Sequence, residues 1–265
     1  VFDHALAPSA SLAVDRDIVL SLRDVGKSYG GTQILRQVSF DVGKGEFAVV
    51  LGPSGSGKST LFRCITRLTE LSAGTVHYEG LCVNTLDRRG LAQLRSRIGF
   101  VFQQFNLIKR LSALDNVLTG RLASAPLWRV TCRSFSKADR QLALGCLDAV
   151  GMLDFAYRRV DGLSGGQQQR VAIARALAQQ SHAIIADEPI ASLDPESALL
   201  VMQVLGRVAR DYGITVLCSL HHVDHALKMA DRIIGMQAGR IVVDKPARDV
   251  SPEDLRSIYA SAKPN

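Results

Sequence analysis

The sequence predicts an α/β fold: a largely parallel sheet with helices on both faces, interrupted by a helical insert. Three observations carry that expectation. Short apolar runs rich in β-branched residues alternate with stretches of helical periodicity. A Gly-rich loop, from Gly52 to Thr60, follows one such run and opens a helix. Between about Leu111 and Gly162 the alternation stops, and Leu, Ala and charged residues take over.

In chain order, strands are expected over 19–22, 38–42 and 47–51, with Gly43 and Gly45 marking a turn between the last two. A helix over 58–68 follows the glycine-rich loop, then strands over 76–78 and 98–102. Within the insert, Leu142, Leu144, Leu147 and Val150 give residues 137–150 helical spacing. Alternation then resumes with a helix over 163–179, a strand over 183–187, a helix over 195–210, a strand over 214–219 and a helix over 223–229. Residues 233–236 and 240–243 form a hairpin around Gln237-Ala238-Gly239, and a helix over 252–262 closes the chain.

Composition narrows the function classes. The 265 residues are 47% hydrophobic and 22% charged, which suits a globular core. Their longest apolar runs, such as Phe47 to Leu51, are far short of the ~20 residues that cross a bilayer. Work at a membrane would therefore need partners. Asp3, His4, Asp15, Arg16 and Asp17 leave no apolar stretch of the secretory kind, so no signal peptide is expected. The five cysteines are odd in number and lack C-x-x-C spacing, which predicts buried thiols in a reducing compartment. Net charge is +7, yet the sequence has no extended basic run and no basic residues interleaved with aromatics. Nucleic acid is not an expected partner.

Gly52-Pro53-Ser54-Gly55-Ser56-Gly57-Lys58-Ser59, followed by Thr60, fits G-x-x-x-x-G-K-[ST] in its required strand–loop–helix setting. Glycines let backbone N–H groups converge on a polyphosphate, and the helix N-terminus adds positive potential. Lys58 can neutralise β/γ charge, and the Ser59 hydroxyl can ligate Mg²⁺. A chance match in a chain this long is on the order of one in a hundred. The loop predicts a P-loop NTPase and leaves its kind open.

Ala183-Ile-Ile-Ala-Asp187-Glu188-Pro189 is an apolar strand ending in two carboxylates, a costly place for acids unless they meet a cation or water. Asp187 is placed for the Mg²⁺ hydration shell, and Glu188 to polarise a water against the γ-phosphate. Leu163-Ser164-Gly165-Gly166-Gln167 opens a second helix whose N-terminus favours an anion. One triphosphate does not need two such ends from one chain. A second copy would make sense of it, each nucleotide lying between the phosphate loop of one subunit and Ser164–Gln167 of the other. A plain Ser N-cap explains the pentapeptide equally well.

The order of these motifs, with Gln103 after the loop, Ser192-Leu193-Asp194 after the acids and then His221, resembles the nucleotide-binding subunits of ABC transporters from about Val19 to Asp244. The resemblance implies a RecA-like ATP-binding core over 19–110 and 163–250 with an N-terminal antiparallel β subdomain. It also implies a helical subdomain over 111–162, an N-terminal extension over 1–18, and a C-terminal helix and tail over 251–265. Tyr29 would stack on adenine above Gly30-Gly31. Gln103 would sense Mg²⁺ and the γ-phosphate and touch the membrane subunit, with Gln104 as its rival. Asp194 would lie across a dimer interface. His221 would contact the γ-phosphate, with His222 and His225 competing.

The finer resemblance is to the ATP-binding subunit of phosphonate importers, through segments such as Phe102–Leu107, Asn116–Arg121, Pro126–Arg129, Arg159–Arg170, Asp187–Glu196 and Ser219–His221. His222, where that group often has Gln, and the stretch around Asp244–Pro246 depart from it. The implied protein is an ATPase using ATP and Mg²⁺. It would be peripheral on the cytoplasmic face of the membrane, and would work with a second copy, transmembrane permease subunits and, indirectly, an extracytoplasmic solute-binding protein. Soluble ABC proteins of translation or repair usually carry two cassettes or a long coiled coil, and this chain has neither.

Overall fold

Apolar residues recur along the first two strands, β1 (Ile18–Tyr29) and β2 (Thr32–Gly43), which pair antiparallel. Gly30 and Gly31, at φ 50° and 85°, close the turn between them. The computed structural model describes residues 18–123 and 135–260. Both strands run well past the expected 19–22 and 38–42. Asp24 and Gln37 adopt left-handed φ of 49° and 52°, and the pairing shifts register between Leu22 and Val25, which breaks the alternation a strand is read from.

The chain then enters a second sheet through β3 (Phe47–Leu51), all of it buried, followed by the glycine-rich loop and α1 (Lys58–Ile65). Helix α1 stops short of the expected 68, because Thr66 caps it and Arg67 turns to φ 50°. β4 (Ala73–Tyr78) and β5 (Leu81–Cys82) complete a four-stranded antiparallel sheet of order β2-β1-β4-β5. An unexpected helix follows, α2 (Arg88–Arg97), capped by Asp87, whose side chain accepts from Gly90 N at 2.7 Å. Leu94 is its one buried residue, so no apolar stripe announces it. β6 (Ile98–Val101) ends one residue early.

The insert contributes α3 (Ala113–Leu118) and α4 (Lys137–Ala149), which pack with α5 (Gly165–Ala178). The segment 126–129 and Cys132 lie outside the described residues. Of the four spaced residues, Leu147 and Val150 are buried, while Leu142 and Leu144 are partly so. The buried Asn116 ties the insert to the preceding loop. Its Oδ1 accepts from Ile108 N (2.7 Å), and its Nδ2 donates to the Ile108 and Ser112 carbonyls (3.1 and 2.9 Å). Asn116→Ala is expected to strand these backbone groups, cost about 2 kcal/mol and lower Tm by roughly 5 °C in a melting experiment. An unchanged Tm would show that the loop is held by other means.

β7 (Ala183–Asp187), α6 (Pro195–Tyr212), β8 (Thr215–Leu220), α7 (Val223–Met229), β9 (Arg232–Gln237), β10 (Arg240–Pro246) and α8 (Pro252–Tyr259) follow among the described residues. The second sheet has the order β10-β9-β3-β8-β7-β6, all parallel except the β9/β10 hairpin. Alternation along β3 divides two cores: Phe47, Val49 and Leu51 join the helical side, and Ala48 and Val50 join the core shared with the antiparallel sheet. α8 ends at Tyr259 and not at 262, since Ala260 turns extended with ψ 123°. Among the described residues no helix is long and apolar enough to cross a membrane. The parallel strands β3, β7 and β8 bring their carboxyl ends to one edge, where α/β sheets bind ligands.

Candidate active site

Close backbone contact shapes the loop after β3. A Cβ on Gly52 would lie 2.2 Å from the Met236 carbonyl oxygen, so only glycine lets the loop leave β3 beside β9. Gly57 sits at φ 105° against Leu35 and Met236, just before α1. Gly239 N donates to the Ser56 carbonyl at 3.0 Å, pinning the loop to the β9/β10 turn. The buried Lys58 folds back across the loop and donates to the carbonyls of Gly52 (2.8 Å) and Pro53 (3.0 Å). Burial pulls the pKa of its ammonium down, opposed by the charges of Glu188 and Asp187.

The two carboxylates at the end of β7 diverge in partners but share one strand tip. Asp187 Oδ1 accepts from Ser59 Oγ (3.1 Å) and from Ser219 Oγ (2.8 Å). The Glu188 amide donates to that same Ser219 hydroxyl at 2.9 Å. Neighbouring residues of a strand point to opposite faces. Glu188 escapes this with φ 49°, an uncommon value for a residue with a side chain, and its carboxylate turns to the glycine-rich loop. There its Oε2 is 2.6 Å from His221 Nε2 and its Oε1 is 3.8 Å from Lys58 Nζ. The other ring nitrogen of His221 is 3.3 Å from Lys58 Nζ.

Tyr29, Ile34, Gly55, Gly57, Lys58, Ser59, Thr60 and Glu188 line one open cavity of about 320 Å³. The β1/β2 turn thus meets the phosphate loop and the acidic strand tip. The Tyr29 ring is half exposed, and Lys27 Nζ lies 4.6 Å from its centroid. Ser56 Oγ, packed inside the loop beside Gly52 and not on the cavity lining, is buried with no hydrogen-bond partner. Ser59 and Asp187 offer hard oxygen donors 3.1 Å apart, a set that suits Mg²⁺.

The remaining expected residues gather elsewhere. Ser164 caps α5 in a reciprocal box: its hydroxyl accepts from Gln167 N, and its own amide donates to Gln167 Oε1 at 2.9 Å. The helix therefore begins at Gly165, not 163. Gly166 lies against Ser197, where an added Cβ would come within 2.6 Å, and Gly165 faces Leu193. Asp194 caps α6 by accepting from Ser197 N at 2.9 Å, and these bonds hold its carboxyl below the usual range. Ser164 to Gln167 and Asp194 thus form a second cluster, exposed at Ser164 and Asp194 and absent from the cavity lining. Gln103 follows β6, is exposed and makes no hydrogen bond among the described residues. Its loop is gripped from α5 by Arg175, which donates to the Phe105 and Asn106 carbonyls at 3.2 and 2.6 Å.

Sequence reasoning missed Ser219, Ile34 and Tyr259, whose hydroxyl donates to the His221 carbonyl at 2.7 Å. Ser219 carried a readable signal, a polar residue next to the carboxyl end of a fully buried strand. Ile34 and Tyr259 carried none.

Residues 35–191 match the protein family described as ABC transporter. The hypophosphite import ATP-binding protein HtxD of Stutzerimonas stutzeri is 51% identical over 244 residues, 92% of this chain and 72% of that protein. The phosphate-import ATP-binding protein PhnC of Mycolicibacterium smegmatis is 49% identical over 94% of each chain. The phosphonates import ATP-binding protein PhnC of Nocardia farcinica is 49% identical over 93% of this chain and 92% of its own. Among solved structures, the dimeric post-hydrolysis state of the ATP-binding cassette MJ0796 bound to ADP and Pi superposes with a TM-score of 0.75. It is 36% identical and covers 87% of this chain and 100% of that one.

Proposed function

This chain belongs to the ABC transporter family, and from that premise we propose that it is the ATP-hydrolysing subunit of an importer of phosphonates. The observation that carries the ATPase reading is the single cavity joining Tyr29, the phosphate loop and Glu188. The solute class rests on relatives named for phosphonates, phosphate and hypophosphite, all small phosphorus oxyanions.

In this reading Tyr29 stacks on the adenine of ATP. The backbone N–H groups of residues 54–60 wrap its phosphates. Lys58 leaves the Gly52 and Pro53 carbonyls to neutralise β/γ charge. Ser59 and Asp187, with Gln103, would hold Mg²⁺, which would supply charge neutralisation for the phosphates when bound. Glu188 orients the attacking water and receives its proton. His221, already hydrogen-bonded to Glu188, contacts the γ-phosphate oxygens and keeps that carboxylate in place.

The cluster of Ser164, Gly165, Gly166, Gln167 and Asp194 serves the nucleotide of a second copy, so the two sites form across a head-to-tail dimer. Its support is the helix N-terminus set apart from the chain's own cavity, and the dimeric form of the MJ0796 cassette. A groove floored by Phe100 and Phe102, with ring centroids 4.3 Å apart, and rimmed by Arg95, Asn106 and Arg175 receives the permease. Gln103 sits at its edge in sequence. The permease holds the subunit at the cytoplasmic face of the membrane.

The solute assignment is tested with the subunit reconstituted beside its permease and solute-binding partner in vesicles. Alkylphosphonate should raise ATP turnover at least about fivefold, with phosphate and hypophosphite weaker and amino acids inert. Stimulation by an amino acid, with none by any phosphorus oxyanion, would sink the phosphonate reading and leave the ATPase reading standing.

A further inference from the structure

Helix α8 is fastened to the sheet by its whole length. Ile258 is fully buried against Gly235 of β9, so closely that a Cβ there would lie 2.5 Å from Ile258 Cγ1. Lys245 of β10 holds both Asp254 oxygens, at 2.8 and 2.9 Å. Ser251 and Asp254 form a capping box, Pro252 occupies the first helical turn, and Gln237 Nε2 donates to the Ala260 carbonyl. The last residue of this anchored helix, Tyr259, reaches back 38 positions to the carbonyl oxygen of His221.

His221 stands in the two-residue link between β8 and α7, and the N-cap position of α7, His222, makes no side-chain cap bond. The peptide after His221 sets where its imidazole points. That ring has both nitrogens engaged, Nε2 at 2.6 Å from Glu188 and Nδ1 at 3.3 Å from Lys58. Small rotations of the peptide would lose one contact or the other.

We propose that Tyr259 is a positioning residue for hydrolysis: its hydroxyl holds the His221 backbone so that the imidazole meets Glu188 and the phosphate end of the cavity. The C-terminal helix thereby belongs to the catalytic apparatus. The inference rests on the reading of His221 as the γ-phosphate contact.

The test is a double-mutant cycle on the full chain, read as steady-state ATP hydrolysis with MgATP. Tyr259→Phe keeps the aromatic ring beside Ile258 and removes only the hydroxyl. It should lower kcat about 3- to 10-fold, the range of one lost hydrogen bond, with KM for ATP within about twofold and Tm unchanged. His221→Ala should be slower still. The double variant should be no slower than His221→Ala alone, because the hydroxyl acts through that residue. If His221→Ala turned over like the unchanged chain, the reading of His221 and the inference would both fall. If His221→Ala were slow but Tyr259→Phe matched the unchanged chain, or the two losses multiplied, the inference alone would be overturned.

Discussion

Glu188→Gln is expected to slow ATP hydrolysis by about 10²- to 10⁴-fold, the usual contribution of a positioned general base, while ATP still binds. Gln keeps the length of the side chain and can still bond His221, now 2.6 Å from the carboxylate. It loses the capacity to accept a proton from water. The backbone at 188 sits at φ 49°, and Gln tolerates that conformation no worse than Glu, so folding should be unaffected. With hydrolysis blocked and binding intact, the closed dimer should accumulate, visible by sizing chromatography in MgATP. Hydrolysis within tenfold of the unchanged chain would remove Glu188 from the role of base. A variant that binds ATP but stays monomeric would remove hydrolysis as the step that reopens the dimer.

Mixed dimers give the second large effect. Pair a subunit carrying Lys58→Ala with one carrying Ser164→Arg. If Ser164 serves the partner's nucleotide, both lesions fall in one composite site and the other site stays wild type. With both lesions on one chain, each site is damaged. The trans arrangement should therefore bind one ATP per dimer in the sandwiched form, and the cis arrangement none. Lys58→Ala removes the ammonium that reaches the Gly52 and Pro53 carbonyls and Glu188 from a buried position. Ser164 is exposed, so the Arg is expected to cost the monomer only the α5 N-cap, about 1 kcal/mol. Tagged heterodimers purified with their permease allow the count. The reverse pattern would mean that Ser164 acts on its own chain's nucleotide.

Legibility in the sequence tracked how much of each element's job is local. β3 and β7 were readable because burial on both faces makes an unbroken apolar run. The loop from Gly52 to Thr60 was readable because its chemistry is carried by consecutive backbone amides. Helix α2 was invisible, because a single buried leucine gives no period, and its one cue was Asp87 as a cap. The far halves of β1 and β2 were hidden by bulges that reset the alternation. In the site, Asp187 and Glu188 stood side by side in the sequence. Ser219, which bonds both, comes from the neighbouring strand, and Tyr259 comes from the last described helix. Such residues are chosen by the crossing of distant segments, which no local window contains. The sequence also placed Ser164–Gln167 and Asp194 separately, whereas the contact of Gly166 with Ser197 makes them one surface.

Arg175 joins two parts of the chain that lie far apart in sequence. Its guanidinium sits on α5, three turns from Ser164, and clasps two successive carbonyls, at Phe105 and Asn106, where the chain runs through left-handed φ of 58° and 48°. Residues with side chains adopt that conformation only when their surroundings hold them there, and a planar two-pronged grip does so better than a single point charge. The loop beside the Phe100–Phe102 groove is therefore tied directly to α5. The same helix starts at the Ser164 cap, so one rigid element carries both the grip on that loop and the exposed Ser164 end. Arg175→Lys, which keeps the charge and drops the fork, would give up the planar grip on both carbonyls at once.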